Sequence, residues 1–294
     1  MKLNEVTQAN YYNEPQKQFM SATVYKSFLE CEAKGVAIMN GSYNPFPNDN
    51  ALLYGQFVHS AFESKAAHEK YIEENKDHFY TQKGTKRAEI KNMDKAIQAL
   101  KDNRAFDQLY LEPSNEYEKI VTGTIEPAVQ GDIFSANYKA PEPIEWIGKL
   151  DMLNKKDKII GDIKTSADYY KGYTNTNGNK EDFIRHWGYD TQLAIYQHLL
   201  QQETGDRYRT IIFVVSKKNF TTQAIEIPQI YLDDQLEQVR EREQRIHDLM
   251  EEVNNGQEST AQPCGICDYC TYMRRRQARQ SGVISLNDFN SLII

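Results

Sequence analysis

The chain has 294 residues, of which 39% are hydrophobic and 26% charged, enough apolar material for a packed core and too much for wholesale disorder. Lys and Arg total 35 against 42 Asp and Glu, a formal charge of −7. That excludes a globally basic nucleic-acid binder and leaves a local basic patch or a bound cation as the route to phosphate contacts. No apolar run approaches the ~20 residues of a membrane span and the first twenty residues lack an apolar signal core, so a soluble, cytosolic chain with no membrane partner is expected.

No internal repeat with a period of about 20–50 residues is visible. Ser21 is the expected N-cap of a helix carrying Val24, Phe28, Leu29 and the Ala-rich stretch 33–38. Asn, Gly and Pro cluster at 40–50 as a loop. A second helix is predicted from about Ala51 to His68, with Leu52, Leu53, Val58 and Phe62, and a charged amphipathic helix over 84–110. From about residue 116 the period changes. Ile144 to Leu153 alternates like a strand, 154–157 is a polar turn, and Lys158 to Thr165 is a second strand, together a hairpin. A polar loop at 171–182 precedes a helix over 183–202, strands at Thr210–Val215 and Gln223–Pro228, and a helix over 232–253. This order is mixed α/β with a central sheet. It divides into a helical region 1–115, a core 116–255, and a tail 256–294 with three of the four cysteines.

The chemistry concentrates on the hairpin. Asp162 and Lys164 are two apart on one strand and share a face, and the turn can bring Asp151 to the same end. Two carboxylates and an ammonium suit a hard divalent cation such as Mg²⁺, which stabilises charge building on a phosphoryl group. Asp-x-Lys alone is a weak signal that ordinarily describes a solvated edge-strand ion pair. Here Ile159, Ile160 and Ile163 surround it, and charges in a buried strand need partners or a metal. His59 and Glu63 share a helix face four residues apart, as do Gln192 and Tyr196. Each pair also reads as an ordinary feature of an amphipathic or packed helix.

Five blocks, SATVYKSFLECEAKG, LLYGQFVHSAFE, WIGKLDMLNKKDKIIGDIKT, FIRHWGYDTQLAIYQ and PCGICDYC, span about residues 21 to 270. In content and order they resemble the PD-(D/E)xK nuclease superfamily, more narrowly its RecB-like and RecE-like branch and the phage-type exonucleases that partner single-strand annealing proteins. The resemblance implies a restriction-endonuclease-like core, a mixed sheet flanked by helices, with a helical N-terminal region and a cysteine-containing tail. It implies that Asp151, Asp162 and Lys164 are catalytic, with Leu150 where the namesake pattern has proline. His59, Asp151, Asp162 and the Ile163 carbonyl would ligate Mg²⁺ or Mn²⁺. Glu63 would assist, and Gln192 and Tyr196 would line the site. The implied reaction is metal-dependent hydrolysis of DNA phosphodiesters from the ends of linear, double-stranded DNA during recombination, in a bacterial cytoplasm and with a phage origin. A homo-oligomer is compatible with it, since RecE-like relatives form rings. The alternative is a nuclease-fold protein that binds or scaffolds DNA without cutting it.

Arg274, Arg275, Arg276 and Arg279 form a basic run suited to DNA, as do Lys155, Lys156, Lys217 and Lys218, although solubility explains such residues equally well. Cys264, Cys267 and Cys270 are spaced by two residues each, and Cys31 is the one other cysteine. This one-plus-three layout resembles the 4Fe–4S site of some RecB-like nucleases. The short gap before Cys270 departs from their spacing, and Zn²⁺ on four thiolates, or three and a histidine, remains the competitor.

Overall fold

The computed structural model describes residues 2–12, 18–45, 50–128, 142–175 and 178–282. Parts of the loops expected at 40–50 and 171–182, and the tail beyond 282, lie outside these residues. The helices of the first third are α1 (Ala22–Glu30), α2 (Glu32–Met39), α3 (Asn50–Glu63), α4 (Lys65–Glu74) and α5 (Ala88–Lys101). Strands β1 (Glu116–Ile125), β2 (Ile144–Asn154) and β3 (Ile159–Ser166) follow, then α6 (Tyr189–Thr204), β4 (Arg209–Ser216), β5 (Thr222–Glu226), α7 (Gln229–Asn254) and α8 (Asp268–Ser281).

Ser21 caps α1 as expected, its hydroxyl accepting the Val24 N–H at 3.4 Å. Several expected helices are nevertheless broken. Cys31 is extended (φ −166°, ψ 119°) and separates α1 from α2. Ser64 ends α3 and caps α4 by accepting from Ala67 N–H. The 84–110 helix stops at Lys101, and residues Phe106–Tyr110 form a separate π-helical turn. Gly188, at φ +61°, divides the short helix Phe183–His186 from α6, a conformation that favours glycine. The polar loop holds a small ribbon, Tyr173–Thr174 against Lys180–Glu181.

The sheet runs in the order β1-β2-β3-β4-β5. β3 and β4 are parallel, joined by α6 as a crossover, and the other pairs are antiparallel. Both faces are covered, so β2 and β3 do not show the alternation of half-exposed strands. On one face Trp146, Leu153 and Ile160 pack with Tyr25, Leu199 and Val239 from α1, α6 and α7. On the other, Met152, Ile163 and Phe213 pack with Phe57 and Leu100 from α3 and α5.

The β2–β3 ladder is short, running only from Met152↔Gly161 to Asn154↔Ile159. Beyond it the strands diverge. The N-terminal segment enters alongside β2 instead, with Met20 N–H donating to Glu145 O and Ile147 N–H donating to Met20 O. This fork, at the C-terminal ends of the parallel strands β3 and β4, is where open α/β sheets place their sites.

Candidate active site

A cleft of 780 Å³ opens at the fork and is lined by His59, Asp151, Lys164, Gln192 and Tyr196, with α3 on one side and α6 on the other. Asp151 sits one residue past the end of the β2–β3 ladder, and its Oδ2 accepts the Ile163 backbone N–H at 2.8 Å. A carboxylate thus replaces a strand carbonyl in the ladder and is held rigidly by it. His59 Nδ1 lies 3.1 Å from the same oxygen. Asp162 is 2% exposed. Its Oδ2 lies 2.7 Å from Lys164 Nζ, and its Oδ1 accepts from Gln192 Nε2 at 3.1 Å. Lys164 Nζ also lies 4.7 Å from the centre of the Tyr189 ring. Tyr196 crosses β2 over Gly148, where any Cβ would meet its ring at 2.7 Å.

One acidic residue of the cleft escapes a reading of the sequence. Glu118 lies opposite Asp151, between the pairs Tyr117↔Met152 and Lys119↔Leu150. Its φ of +55° is rare for a residue with a side chain. β2 loses its phase at the same level: Leu150 and Met152, two apart, face opposite cores. Glu118 is turned into the cleft and paired with Lys149. A lone Glu in a strand gives no hint of this, because the signal is a backbone angle.

Burial raises the Asp162 carboxyl above its ordinary range, only partly offset by Lys164. Burial also works against ionisation of Asp151, but His59, Lys164 and the Ile163 N–H outweigh it and hold that group near 2. For His59 burial favours the neutral ring, and the Asp151 carboxylate overcomes this and raises it. Lys164 is likewise raised, burial being outweighed by Asp162 and Asp151. Glu118 is raised by burial first and by Asp151 second. The charges of Asp151, His59 and Lys164 are therefore stabilised by their neighbours, whereas burial works against ionisation of Asp162 and Glu118.

The donor chemistry fits a hard divalent cation. Asp162 Oδ2 is buried with no well-formed hydrogen bond beyond its ion pair, and carboxylates and main-chain oxygens are the ligands such ions take. Among the described residues, the sets of three or more candidate ligands whose atoms all lie within 4.8 Å are at the cysteines. His59 and Asp151 line the cleft, Asp162 lies buried beneath its lining, and each is turned to a protein partner. Glu63 is not a lining residue, although it lies one turn beyond His59.

The basic residues separate by role. Lys217 lines the cleft. Lys155 and Lys156 pair with Glu116 and Glu112. Arg274 turns inward, donating to the Gly265 carbonyl and to Thr271 Oγ1. Arg275, Arg276 and Arg279 line a second hollow of 700 Å³ on α8.

The four cysteine sulfurs lie within 4.8 Å of one another. Cys270 Sγ is 3.8 Å from Cys31 Sγ and 3.9 Å from Cys264 Sγ. Each sulfur accepts a backbone N–H: Cys31 from Cys264, Cys264 from Cys267, Cys267 from Cys270, and Cys270 from Gly265. Gly265, at φ +80°, supplies the turn. Lys34 fastens the corner, reaching Glu30 and Asp268 at 2.7 Å each. This group could hold a metal.

Residues 21–273 match the family described as PDDEXK-like domain of unknown function (DUF3799). The crystal structure of a "putative exonuclease" from Eubacterium rectale is similar over 96% of this chain and 95% of that one, with 27% identity and a TM-score of 0.73. A structure of SSO0001 matches over 84% of this chain and 90% of that one at 15% identity, with a TM-score of 0.30. No curated protein matches. The mixed sheet, flanking helices and C-terminal cysteine group agree with the architecture expected from the sequence. No helix among the described residues is long and apolar enough to cross a membrane.

Proposed function

The chain belongs to the PDDEXK-like family DUF3799, a nuclease fold, and from that premise we propose that it is a metal-dependent DNA exonuclease acting on the ends of linear DNA. The observation that carries the reading is the meeting of Asp151, Asp162, Lys164, His59 and Gln192 at one fork of the sheet. His59, Asp151, Asp162 and the Ile163 carbonyl would hold Mg²⁺ or Mn²⁺. The ion, when bound, activates water and neutralises charge at the scissile phosphate. Lys164 supplies a fixed positive charge beside Asp162, where the phosphate oxygens gain charge. Gln192 orients the Asp162 carboxylate, and Ile163 N–H orients Asp151. Tyr196, tied across β2, shapes the floor. The reading extends to DNA recombination beside a single-strand annealing protein in a bacterial cytoplasm, supported by the resemblance of the five sequence blocks.

The test is release of nucleotides from linear and closed-circular duplex with Mg²⁺, for the wild type, Asp162→Ala and Lys164→Ala. The reading expects wild-type activity on linear DNA alone and loss in both variants. Equal activity in all three, or none in the wild type with any divalent metal, overturns it; DNA binding without cleavage would favour the scaffold.

The cysteine corner is read as a structural metal site, and the sulfur spacing supports a single Zn²⁺ over a 4Fe–4S cluster. Zinc about 2.3 Å from each thiolate sets tetrahedral sulfur–sulfur edges of about 3.8 Å, and the contacts here are 3.8 and 3.9 Å. A four-iron cube interposes its own atoms and holds the thiolates farther apart. Anaerobic purification with metal analysis and a visible spectrum decides between them. One zinc per chain and no visible absorption is expected, and about four irons per chain overturns it.

A further inference from the structure

Aromatic rings flank the charged centre of the cleft. Tyr12 stands on one wall, 66% exposed, with Lys149 Nζ 4.5 Å from its ring centre. Trp187, Tyr173 and Tyr189 stand on another. Trp187 is 51% exposed although it contacts His186 and Tyr173 edge-on. Rings that complete a hydrophobic core are buried, as Trp146 is at 0%; Trp187 and Tyr12 instead leave large apolar surface at the mouth of a polar site. The cleft also carries Lys217, which has no ion pair among the described residues. Basic groups tracking a backbone between stacking faces are how proteins hold unpaired strands, since every base has a π-face. Size points the same way. At 780 Å³ the cleft matches pockets of about 300–1,000 Å³ that hold one small ligand, room for a nucleotide or two beside the charged centre.

We propose that the cleft takes an unpaired DNA strand end, with a base near the scissile phosphate stacked on Trp187, a second platform at Tyr12, and Lys217 on the backbone. A blunt duplex must then fray before its end can reach Asp162, and the separation costs least where the end is already single-stranded. This rests on the nuclease reading for its orientation toward Asp162, but its test does not.

The two tryptophans make the test direct, because Trp146 is fully buried and reports as a constant background. The full-length Asp162→Asn protein is titrated with single-stranded oligodeoxythymidylate and with a blunt hairpin duplex, following tryptophan fluorescence. The single strand is expected to quench the emission and bind more tightly than the duplex. Trp187→Ala in the same background should weaken single-strand binding, read by anisotropy of a labelled strand, about five- to a hundredfold, and Trp187→Phe should restore most of it. In the otherwise wild-type enzyme, Trp187→Ala should raise KM for single-stranded ends with little change in kcat. Absence of quenching by the single strand, or unchanged affinity in Trp187→Ala, overturns the proposal. If the wild type still degrades linear DNA in that case, the nuclease reading stands and only the stacking platform falls. Quenching and Trp187 dependence in a wild type that cuts nothing keeps the strand site and removes the nuclease.

Discussion

The charged cleft and the cysteine corner are built on opposite principles. In the cleft, Asp151, Asp162 and Lys164 come from one hairpin, and a strand N–H fixes Asp151 in place. The groups neutralise one another, so the sheet carries the arrangement. In the corner, Cys31 must meet residues 264–270 from the far end of the chain, and no strand of the sheet contributes. Its thiols are held by the junction of α1 and α2, by the turn before α8 and the first turn of α8, and by ion pairs such as Lys34–Asp268 and Arg245–Glu32. The first site is fixed by the fold, whereas the second closes a long loop and, on the metal-site reading proposed above, would depend on its ion. Helix α7 connects them: Glu243 accepts from Trp146 of β2 at 2.8 Å, and Arg245 reaches Glu32 of α2 at 2.8 Å.

Substitutions at the two sites should therefore separate in their effects. The largest effect belongs to Asp162→Ala, which should lower cleavage by about a thousandfold or more while leaving the metal content of the cysteine site unchanged. Tm should fall, since the buried Lys164 ammonium loses its 2.7 Å partner. Loss of corner metal in this variant would erase the distinction between the two sites. Next, Cys264→Ser should release the corner metal and lower Tm by more than about 5 °C, with hydrogen exchange rising in α2 and α8 but not in β3. Below the new Tm, cleavage should stay within about threefold of wild type, against the orders of magnitude lost at Asp162. His59→Ala, which removes the partner of a fixed Asp151, should cost about 10–100-fold in activity, recovered in part by raising Mg²⁺.

The smallest effect tests the connecting helix. Glu243 is 1% exposed, and burial raises its carboxyl from 4.5 to about 8, partly offset by the Trp146 N–H. A raised folded value means that the folded chain keeps a proton the unfolded chain has lost. The stability it contributes is therefore fully present below pH 4.5 and is lost as pH rises through about 8. Glu243→Gln should leave Tm near pH 4.5 unchanged and raise it by a few degrees at pH 8. An unchanged difference between the two pH values would show that another group sets the alkaline slope.

Much of the cleft was legible in the sequence because its key residues are local. Asp162 and Lys164 share a face by strand geometry, Asp151 follows from the hairpin, and Gln192 was placed by the resemblance of its motif. His59 required the same resemblance, since nothing local distinguishes it from a surface histidine on α3. β1 is not legible as a strand: EYEKIVTGTI mixes charged and apolar residues without clean alternation, its phase being disturbed at Glu118. The broken helices were illegible for a related reason. Helical period runs through Cys31 and Ser64, and only tertiary placement makes those residues extended. Nothing in the sequence marks Trp187 as exposed, because its exposure depends on where Gly188 divides the helix predicted over 183–202.

The central claim is that the fork at Asp151, Asp162 and Lys164 hydrolyses DNA phosphodiesters. Its most direct test is the initial rate of acid-soluble nucleotide release from blunt linear DNA at saturating Mg²⁺, comparing the wild type with an Asp162→Asn protein of equal corner-metal content. The account predicts steady release by the wild type and a rate at the blank level for the variant. Release at matching rates by both proteins would contradict it.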